Sequence, residues 1–473
     1  MEKGYVYTQG DIIIEPFVFT KILDLKIVQE INEHSKLYIS GIVSDEYDYS
    51  DKYVETCTEN TRIKVSLKDD KENITDVFYG VITDISLDSF NDVKTLNIEA
   101  LSYTYLMDIE KKCRSFQCDT LTYEEILKEV NNSYSSMCMI DNTTNGQTID
   151  KLLVQYNETD WQFVKRICSH FNTAAIAYCR LEGIRYSIGK LGSDYLHSLD
   201  EFNYCVKMGL KDYRKKSKSI SNFDFNAINF VSYEIKTSII LDLYNPIEFR
   251  NKYFYVYKCE TYIENRVIVN KYILRSDKDM LLRKNYNEKL AGISLEGKIL
   301  DTKSDVVKVN LEIDGYSDRT DNTEWIPYST VFSSPDGTGW YCMPEVGDAI
   351  RIYFPDADEK NSYAISSVNL ESTDNEKRCD PSVKSLGTKY GKEIVMKPGA
   401  IDIISSSNTM SLDDGGGINI SSSSQIYMNA PDITLDGGKI SIRGKDEVEI
   451  KQGGASILVK DDVTMSGGKI NTQ

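Results

Sequence analysis

The chain has 473 residues, enough for roughly two to four domains with substantial cores. Its 73 acidic against 55 basic residues give a net charge of −18, which argues against nucleic acid as the main partner. Three histidines, and ten cysteines with no CxxC pair (Cys113 and Cys118 lie nearest each other), give no zinc-ligand pattern and little material for histidine catalysis. The expectation is free thiols, no metal and no cofactor. Met1-Glu2-Lys3-Gly4-Tyr5 lacks the apolar core of a secretory signal, and no apolar run approaches the membrane-spanning length of about 18 residues. The chain is therefore expected to be made in the cytoplasm without a signal peptide.

Residues 1 to about 110 read as strands. Polar and apolar residues alternate in Lys36–Val43, Arg62–Leu67 and Leu96–Ala100, so one face of each is set for burial; a barrel or a folded-over sheet is expected. Two helices then announce themselves by capping boxes, Thr122-Tyr123-Glu124-Glu125 and Thr159-Asp160-Trp161-Gln162. The first has Tyr123, Ile126, Leu127 and Val130 on one face, the second Trp161, Val164, Cys168 and Phe171. Trp161 and Phe171 read as core residues and not as ligand platforms. A third helix is expected from Ser276 towards Leu290. The basic run Arg214-Lys215-Lys216-Ser217-Lys218 reads as a solvated loop, or as a contact for an acidic tube or wedge protein. From Gly292 short strands with tight turns return at Leu295–Leu300, Val306–Ile313 and Ala349–Phe354, fitting a five-stranded OB-like barrel. Residues 371–391 have linker composition.

The last eighty residues carry a repeat. Apolar residues two apart recur as Ile401/Ile403, Met410/Leu412, Ile418/Ile420, Ile426/Met428, Ile433/Leu435, Ile440/Ile442, Val448/Ile450, Ile457/Val459 and Val463/Met465, then Ile470. Nine steps span 69 residues, a period near 7.7, and each pair shares one face of a short strand. Gly, Ser, Asn and Asp fill the corners. Two apolar side chains per octad cannot build a core for one chain, whereas three chains wound together could bury them between strands. Ten such strands stacked at about 4.8 Å would make a needle roughly 50 Å long.

Ser115-Phe116-Gln117, Leu121–Leu127, Gln155–Arg166 and Asn32-Glu33-His34-Ser35 resemble the hub of VgrG-type spike proteins of type VI secretion and related contractile injection systems, phage baseplates and tail-like particles. Trp340–Asp348 is similar to the OB signature of that family, and the order hub, barrel, octads also matches. The fold expected is mainly β with some α. Residues 1–290 would be a hub of tail-tube-like barrels with helical insertions, 291–370 the OB barrel, 371–391 a linker and 392–473 a triple-stranded β-helix needle. Its core would be Ile401, Ile403, Met410, Leu412, Ile418, Ile420, Ile426, Met428, Ile433, Leu435, Ile440, Ile442, Val448 and Ile450. The resemblance implies a homotrimer with two related barrels per protomer, a hexameric tail tube and baseplate wedge proteins as partners, and an envelope-piercing role. A PAAR-type tip protein or an effector would sit at Gly467, Gly468, Ile470 and Gln473.

The sequence departs from some relatives. Residues 371–391 are too short for an inserted lysozyme domain, and the needle has no histidine for a tip iron. No GxSxG, HExxH or GxxxxGK[ST] pattern occurs, so no catalytic residue is nominated and a structural, non-enzymatic role is expected. A second reading is a cell-surface β-solenoid that binds or cleaves polysaccharide; it would expose aromatic and acidic groups along a groove, and this segment holds one aromatic, Tyr427.

Overall fold

The computed structural model describes residues 4–44, 51–118, 120–190, 195–316, 323–369 and 377–459. They belong to two compact units, residues 1–370 and 371–473, and the chain is mainly β.

The first unit opens with β1 (Ile12–Glu15), β2 (Lys21–Glu30), β3 (Lys36–Ile42), a one-turn helix α1 (Lys52–Glu55), β4 (Arg62–Lys68), β5 (Ile74–Phe90) and β6 (Val93–Ser102), in the order β1-β4-β5-β6-β3-β2. Alternation puts Leu25 and Ile27, Leu37 and Ile39, Ile63, Val65 and Leu67, and Leu96 and Ile98 on one inner face. This sheet forms the first barrel half of the unit.

An insertion follows: β7 (Lys111–Phe116), α2 (Tyr123–Asn131), β8 (Met137–Asp141), β9 (Leu153–Thr159), α3 (Asp160–His170), β10 (Ala175–Ala177) and β11 (Ile184–Ile188). Both capping boxes form. Thr122 accepts from the Glu125 amide at 3.2 Å while Glu125 accepts from the Thr122 amide at 2.9 Å, and Thr159 accepts from the Gln162 amide at 3.2 Å. The stripe of α3 lies where its spacing put it, with Trp161, Val164 and Cys168 fully buried and Phe171 partly so. Thr159→Ala is expected to destabilise the insertion by about 1 kcal/mol, the usual cost of a lost cap; chemical denaturation would measure it.

The second barrel half contains β12 (His197–Leu199), β13 (Tyr204–Met208), α4 (Leu210–Ser219), β14 (Val231–Thr237), β15 (Pro246–Phe249), β16 (Lys252–Glu264), β17 (Val267–Arg275) and a short α5 (Asp277–Met280). Strand β17 buries every second residue, Ile268, Asn270, Tyr272 and Leu274. β16 pairs with β2 from Lys258↔Glu30 to Tyr262↔Lys26, so the two halves are one twelve-stranded sheet.

Two expectations are corrected here. The helix after Ser276 lasts four residues, although Ser276 does cap it by accepting from the Asp279 amide. Beyond Met280 the backbone is claimed by tertiary bonds. Leu282 exchanges hydrogen bonds with Asn172, the Asn285 amide donates to Ser169 Oγ at 2.9 Å, and Asn287 donates to the Tyr156 carbonyl at 2.8 Å. The basic run at 214–218 is no loop but part of α4, and Lys216 is buried against Asp279, Nζ to Oδ1 3.1 Å.

Five further strands close a small barrel: β18 (Ser294–Lys303), β19 (Val306–Leu311), β20 (Ile326–Pro327), β21 (Ala349–Tyr353) and β22 (Tyr363–Ile365), ordered β20-β19-β18-β21-β22. A Tyr328↔Ala364 bridge joins the two ends. Leu295, Ile299, Val307, Val309, Ile352 and Phe354 fill it. Gly297 of β18 faces this packing so closely that a Cβ there would lie 2.4 Å from Val309 Cγ1.

The second unit contains β23 (Lys384–Gly387), β24 (Lys392–Lys397), β25 (Ala400–Ser405), β26 (Asn408–Asp413) and β27 (Gly417–Ser421), an antiparallel meander in chain order, and a separate hairpin of β28 (Val448–Gln452) and β29 (Ala455–Val459).

Candidate functional site

The feature that calls for a partner is the face of this meander. Directly opposed residues share a face, and the register aligns two apolar rows. One runs Leu386, Ile394, Ile403, Met410, Ile420; the other runs Met396, Ile401, Leu412, Ile418. On the opposite face run Ser385, Val395, Asp402, Ser411 and Asn419. There the Lys397 ammonium at 2.7 Å and the Ser411 hydroxyl at 2.6 Å hold the Asp402 carboxyl below the usual carboxylate range. The turns have the chemistry the composition promised: Gly417 has φ +77°, and Asp413 Oδ1 accepts from the Gly415 and Gly416 amides.

Among the described residues of one chain, nothing covers the apolar rows. Ile401 and Ile403 are 42% and 44% exposed, and Ile418 and Ile420 reach 69% and 56%. Of the fourteen residues expected in the needle core, twelve are exposed, while Met410 and Val448 are partly covered. A soluble protein rarely leaves a contiguous apolar face of this kind to water.

The ladder stops at Ser421. Residues 422–447 form no strand ladder and run between bends at Ser423-Ser424, Pro431, Gly438 and Lys445-Asp446. The octad pairs Ile426/Met428, Ile433/Leu435 and Ile440/Ile442 fall here, between 53% and 69% exposed. The expectation of strands at these three pairs is thus not met inside a single chain, where no partner edge reaches them. The pattern resumes in the hairpin, with Ile450 opposite Ile457 and Val448 opposite Val459. Gly467, Gly468, Ile470 and Gln473, together with the pair Val463/Met465, lie outside the described residues.

Two polar clusters fix the first unit. Arg166 on α3 is buried between two carboxylates: its Nη1 is 2.7 Å from Glu359 of the small barrel, its Nη2 2.9 Å from Glu158. A third bond goes from Nη2 to the Val154 carbonyl at 2.7 Å. Burial pushes the Glu158 carboxyl up, and the Arg166 charge offsets only part of that. Leu152 and Val154 of the insertion pack into the barrel core, and the Ser115 amide donates to Asp314 at 2.7 Å. Nothing in the sequence flags Glu359 as the partner of a helix almost 200 positions earlier. The second cluster surrounds the fully buried Asp160. Burial opposes its charge, but hydrogen bonds from Lys112, Tyr134 and Gln155 and the charge of Arg114 outweigh burial and keep its carboxyl below the ordinary range.

The turn Asn32-Glu33-His34-Ser35 lies between β2 and β3. His34 spans Thr104 (2.8 Å) and Asp108 (3.2 Å) and leans on the Trp161 ring, tying the first barrel half to the insertion. Among the described residues no group of three or more His, Cys, Asp or Glu side chains could hold a metal, none of the ten cysteines is in a disulfide, and no helix is long and apolar enough to cross a membrane.

The first unit thus combines two barrel halves sharing a sheet, a helical insertion and a docked five-stranded barrel. No protein-family model and no curated protein matches the sequence. Among solved structures the chain is similar to the E. coli c3393 protein, a component of the type VI secretion system with structural similarity to the T4 bacteriophage tail proteins gp27 and gp5. The TM-score is 0.53 at 14% identity, over 76% of this chain and 99% of that one. It is also similar to a chain of the Francisella PdpA–VgrG complex in its half-lidded form, with a TM-score of 0.58 at 10% identity over 88% of each chain. The likeness to VgrG-type hub proteins seen in the sequence is thus carried by the fold.

Proposed function

We propose that the chain is a component of a contractile injection apparatus, acting as its trimeric central spike and hub without enzymatic activity of its own. Three copies would join a hexameric tail tube, through the hub, to an envelope-piercing needle. Baseplate wedge proteins would surround the hub, and a tip protein or effector would occupy the C-terminal end. Delivery would carry the assembly from the cytoplasm to the outside of the cell or into a target when the sheath contracts. The observation that carries this reading is the exposed apolar ladder in a repeat of fixed period. The fold likeness to secretion and phage-tail proteins supports it.

The ladder also suggests how the needle is divided. From β23 to β27 neighbouring strands pair within the chain, and the apolar face lacks a cover. Three such sheets, placed face inward, form the walls of a prism. From 422 to 447 the backbone joins no strand ladder within the chain, and there the three chains would exchange strands around a common axis.

Purified full-length protein is expected to scatter light as a trimer of about 162 kDa, given a chain mass of 53.9 kDa. Much of that species should survive mild SDS without heating, since braided chains separate only by losing strands on every face. A monodisperse species of one chain mass, folded through residue 459, would remove the basis of the reading.

A further inference from the structure

One cleft of about 530 Å³ in the first unit gathers its walls from four distant segments. The first barrel half supplies Arg62, which opens β4, and Tyr103, on the 3₁₀ turn that follows β6. The helical insertion supplies the turn 133–136 between α2 and β8, and residues 182–185 leading into β11. Strand pairing explains why the two insertion segments meet. β8 and β11 run parallel, with Ile184 beside Met137 and Arg185 beside Cys138, so the residues leading into both strands share one end of that sheet. They touch there: a Cβ on Gly183, which has φ +84°, would lie 2.5 Å from the Ser136 carbonyl oxygen. A glycine is needed for that approach at that backbone angle.

The lining is a set of hydrogen-bond donors. Each guanidinium carries five N–H groups. Arg62 spends one on the Glu59 carbonyl at 3.2 Å, and Arg185 one on the Glu182 carbonyl at 3.0 Å. No carboxylate forms an ion pair with either among the described residues, although the chain carries a net charge of −18. Arg62 also lies 5.4 Å from the centre of the Tyr103 ring. Tyr103 is 6% exposed, and its hydroxyl bonds to no described residue. Burial pushes this phenol up and the Arg62 charge offsets part of that, so the hydroxyl keeps its proton and can donate. Ser133, Ser135 and Ser136 add exposed hydroxyls. Tyr134 gives the wall its ring, since its hydroxyl is committed to Asp160 at 2.6 Å. Glu182, itself exposed, is the one acid among the described lining residues.

The number and spread of these donors choose the ligand. A carboxylate is planar and accepts at about four lone-pair sites, fewer than the donors of two guanidiniums alone. A phosphate group presents its oxygens in several directions, carries up to about two negative charges, and pairs bidentately with arginine. We propose that this cleft is a phosphate-binding site, which holds free inorganic phosphate or the phosphate group of a small phosphoester between Arg62 and Arg185, with the Tyr103 hydroxyl and the serine turn completing the cradle. Because two walls belong to the barrel half and two to the insertion, the bound anion ties these parts together. The site is separate from the octad ladder and does not depend on the trimer reading.

The test is equilibrium dialysis of the intact full-length protein against radiolabelled inorganic phosphate, at an ionic strength fixed with chloride. One saturable site per chain is expected, with a Kd below about 1 mM. Competition then distinguishes the sources. Displacement by phenyl phosphate at lower concentration than by unlabelled phosphate points to an ester, and the reverse order points to the free ion. Arg62→Gln/Arg185→Gln is expected to weaken binding at least about tenfold, the usual effect of losing hydrogen bonds to a charged group. Loss of Arg62 also removes packing from Tyr103, so Tyr103→Phe is the second variant. It keeps the ring, loses the hydroxyl, and is expected to weaken binding about fivefold. Absence of saturable binding overturns the site. So does an affinity that both variants leave unchanged, because the anion would then sit elsewhere on the protein.

Discussion

Replacing Ile401 and Ile403 together by aspartate is expected to abolish the SDS-resistant trimer. Both residues stand in the apolar rows, opposite Leu412 and Met410, and both are more than 40% exposed in one chain. In the braided state each would be covered by the two sister sheets. Losing such a side chain would withdraw about 1.5–3 kcal/mol of burial per copy, and three copies would meet at every level of the proposed prism. The aspartates add a desolvation cost of several kcal/mol each unless they take up a proton. Because the same side chains contribute little to the meander of a single chain, the monomer should keep its fold. The change therefore separates assembly from folding. Ser411→Ala, on the opposite face, is the matched control and should leave the band intact. Survival of the SDS-resistant species in the double aspartate variant would mean that the ladder is not the trimer core.

A second large effect is expected at the joint between the helical insertion and the small barrel. Arg166→Met leaves Glu158 and Glu359 buried and facing each other without their cation. Removing one member of a buried ionic cluster typically costs about 3–5 kcal/mol. The pH dependence has a definite sign. The Glu158 carboxyl is raised in the fold, by burial first, with Arg166 holding it back. A carboxyl raised in the fold contributes stability that is fully present below its unfolded value of about 4.3 and is lost as pH rises through its folded value. Without Arg166 the rise is larger, so the variant should be weakest at neutral and alkaline pH and should recover part of its deficit below roughly pH 5. Guanidinium unfolding at several pH values measures this, and a deficit that widens on acidification would contradict the arrangement. Glu359→Gln should be milder, because it removes one charge and leaves Arg166 paired with Glu158.

These two sites differ in how far the sequence reveals them. The ladder is legible because its period is local: residues two apart share a face, and their recurrence near every eight positions survives any detail of the turns. The barrel strands are legible for the same reason, as in Val267–Arg275, and the capping boxes at Thr122 and Thr159 announced two helices. The Ser276 cap was also real, yet the helix it starts ends at Met280. There the local signal competed with bonds to Asn172, Ser169 and Tyr156, which lie more than a hundred positions away. Arg166 and Glu359 illustrate the same limit. Their meeting depends on how a closed barrel docks on the insertion, and no periodicity encodes that. The basic run at 214–218 misled in another way, since charge density implied solvent, while one of its lysines was drawn inward by Asp279.

The seam between β2 and β16 bears on mechanics. It joins the two barrel halves by direct strand pairing over residues 26–30 and 258–262, reinforced across the strands by the Lys258–Glu30 contact at 3.1 Å. A joint made this way has no hinge, and sliding one half past the other along the strands would load all of its backbone bonds together instead of opening them one by one. A thrust delivered to either half therefore reaches the other as through one stiff plate, with little energy lost to bending.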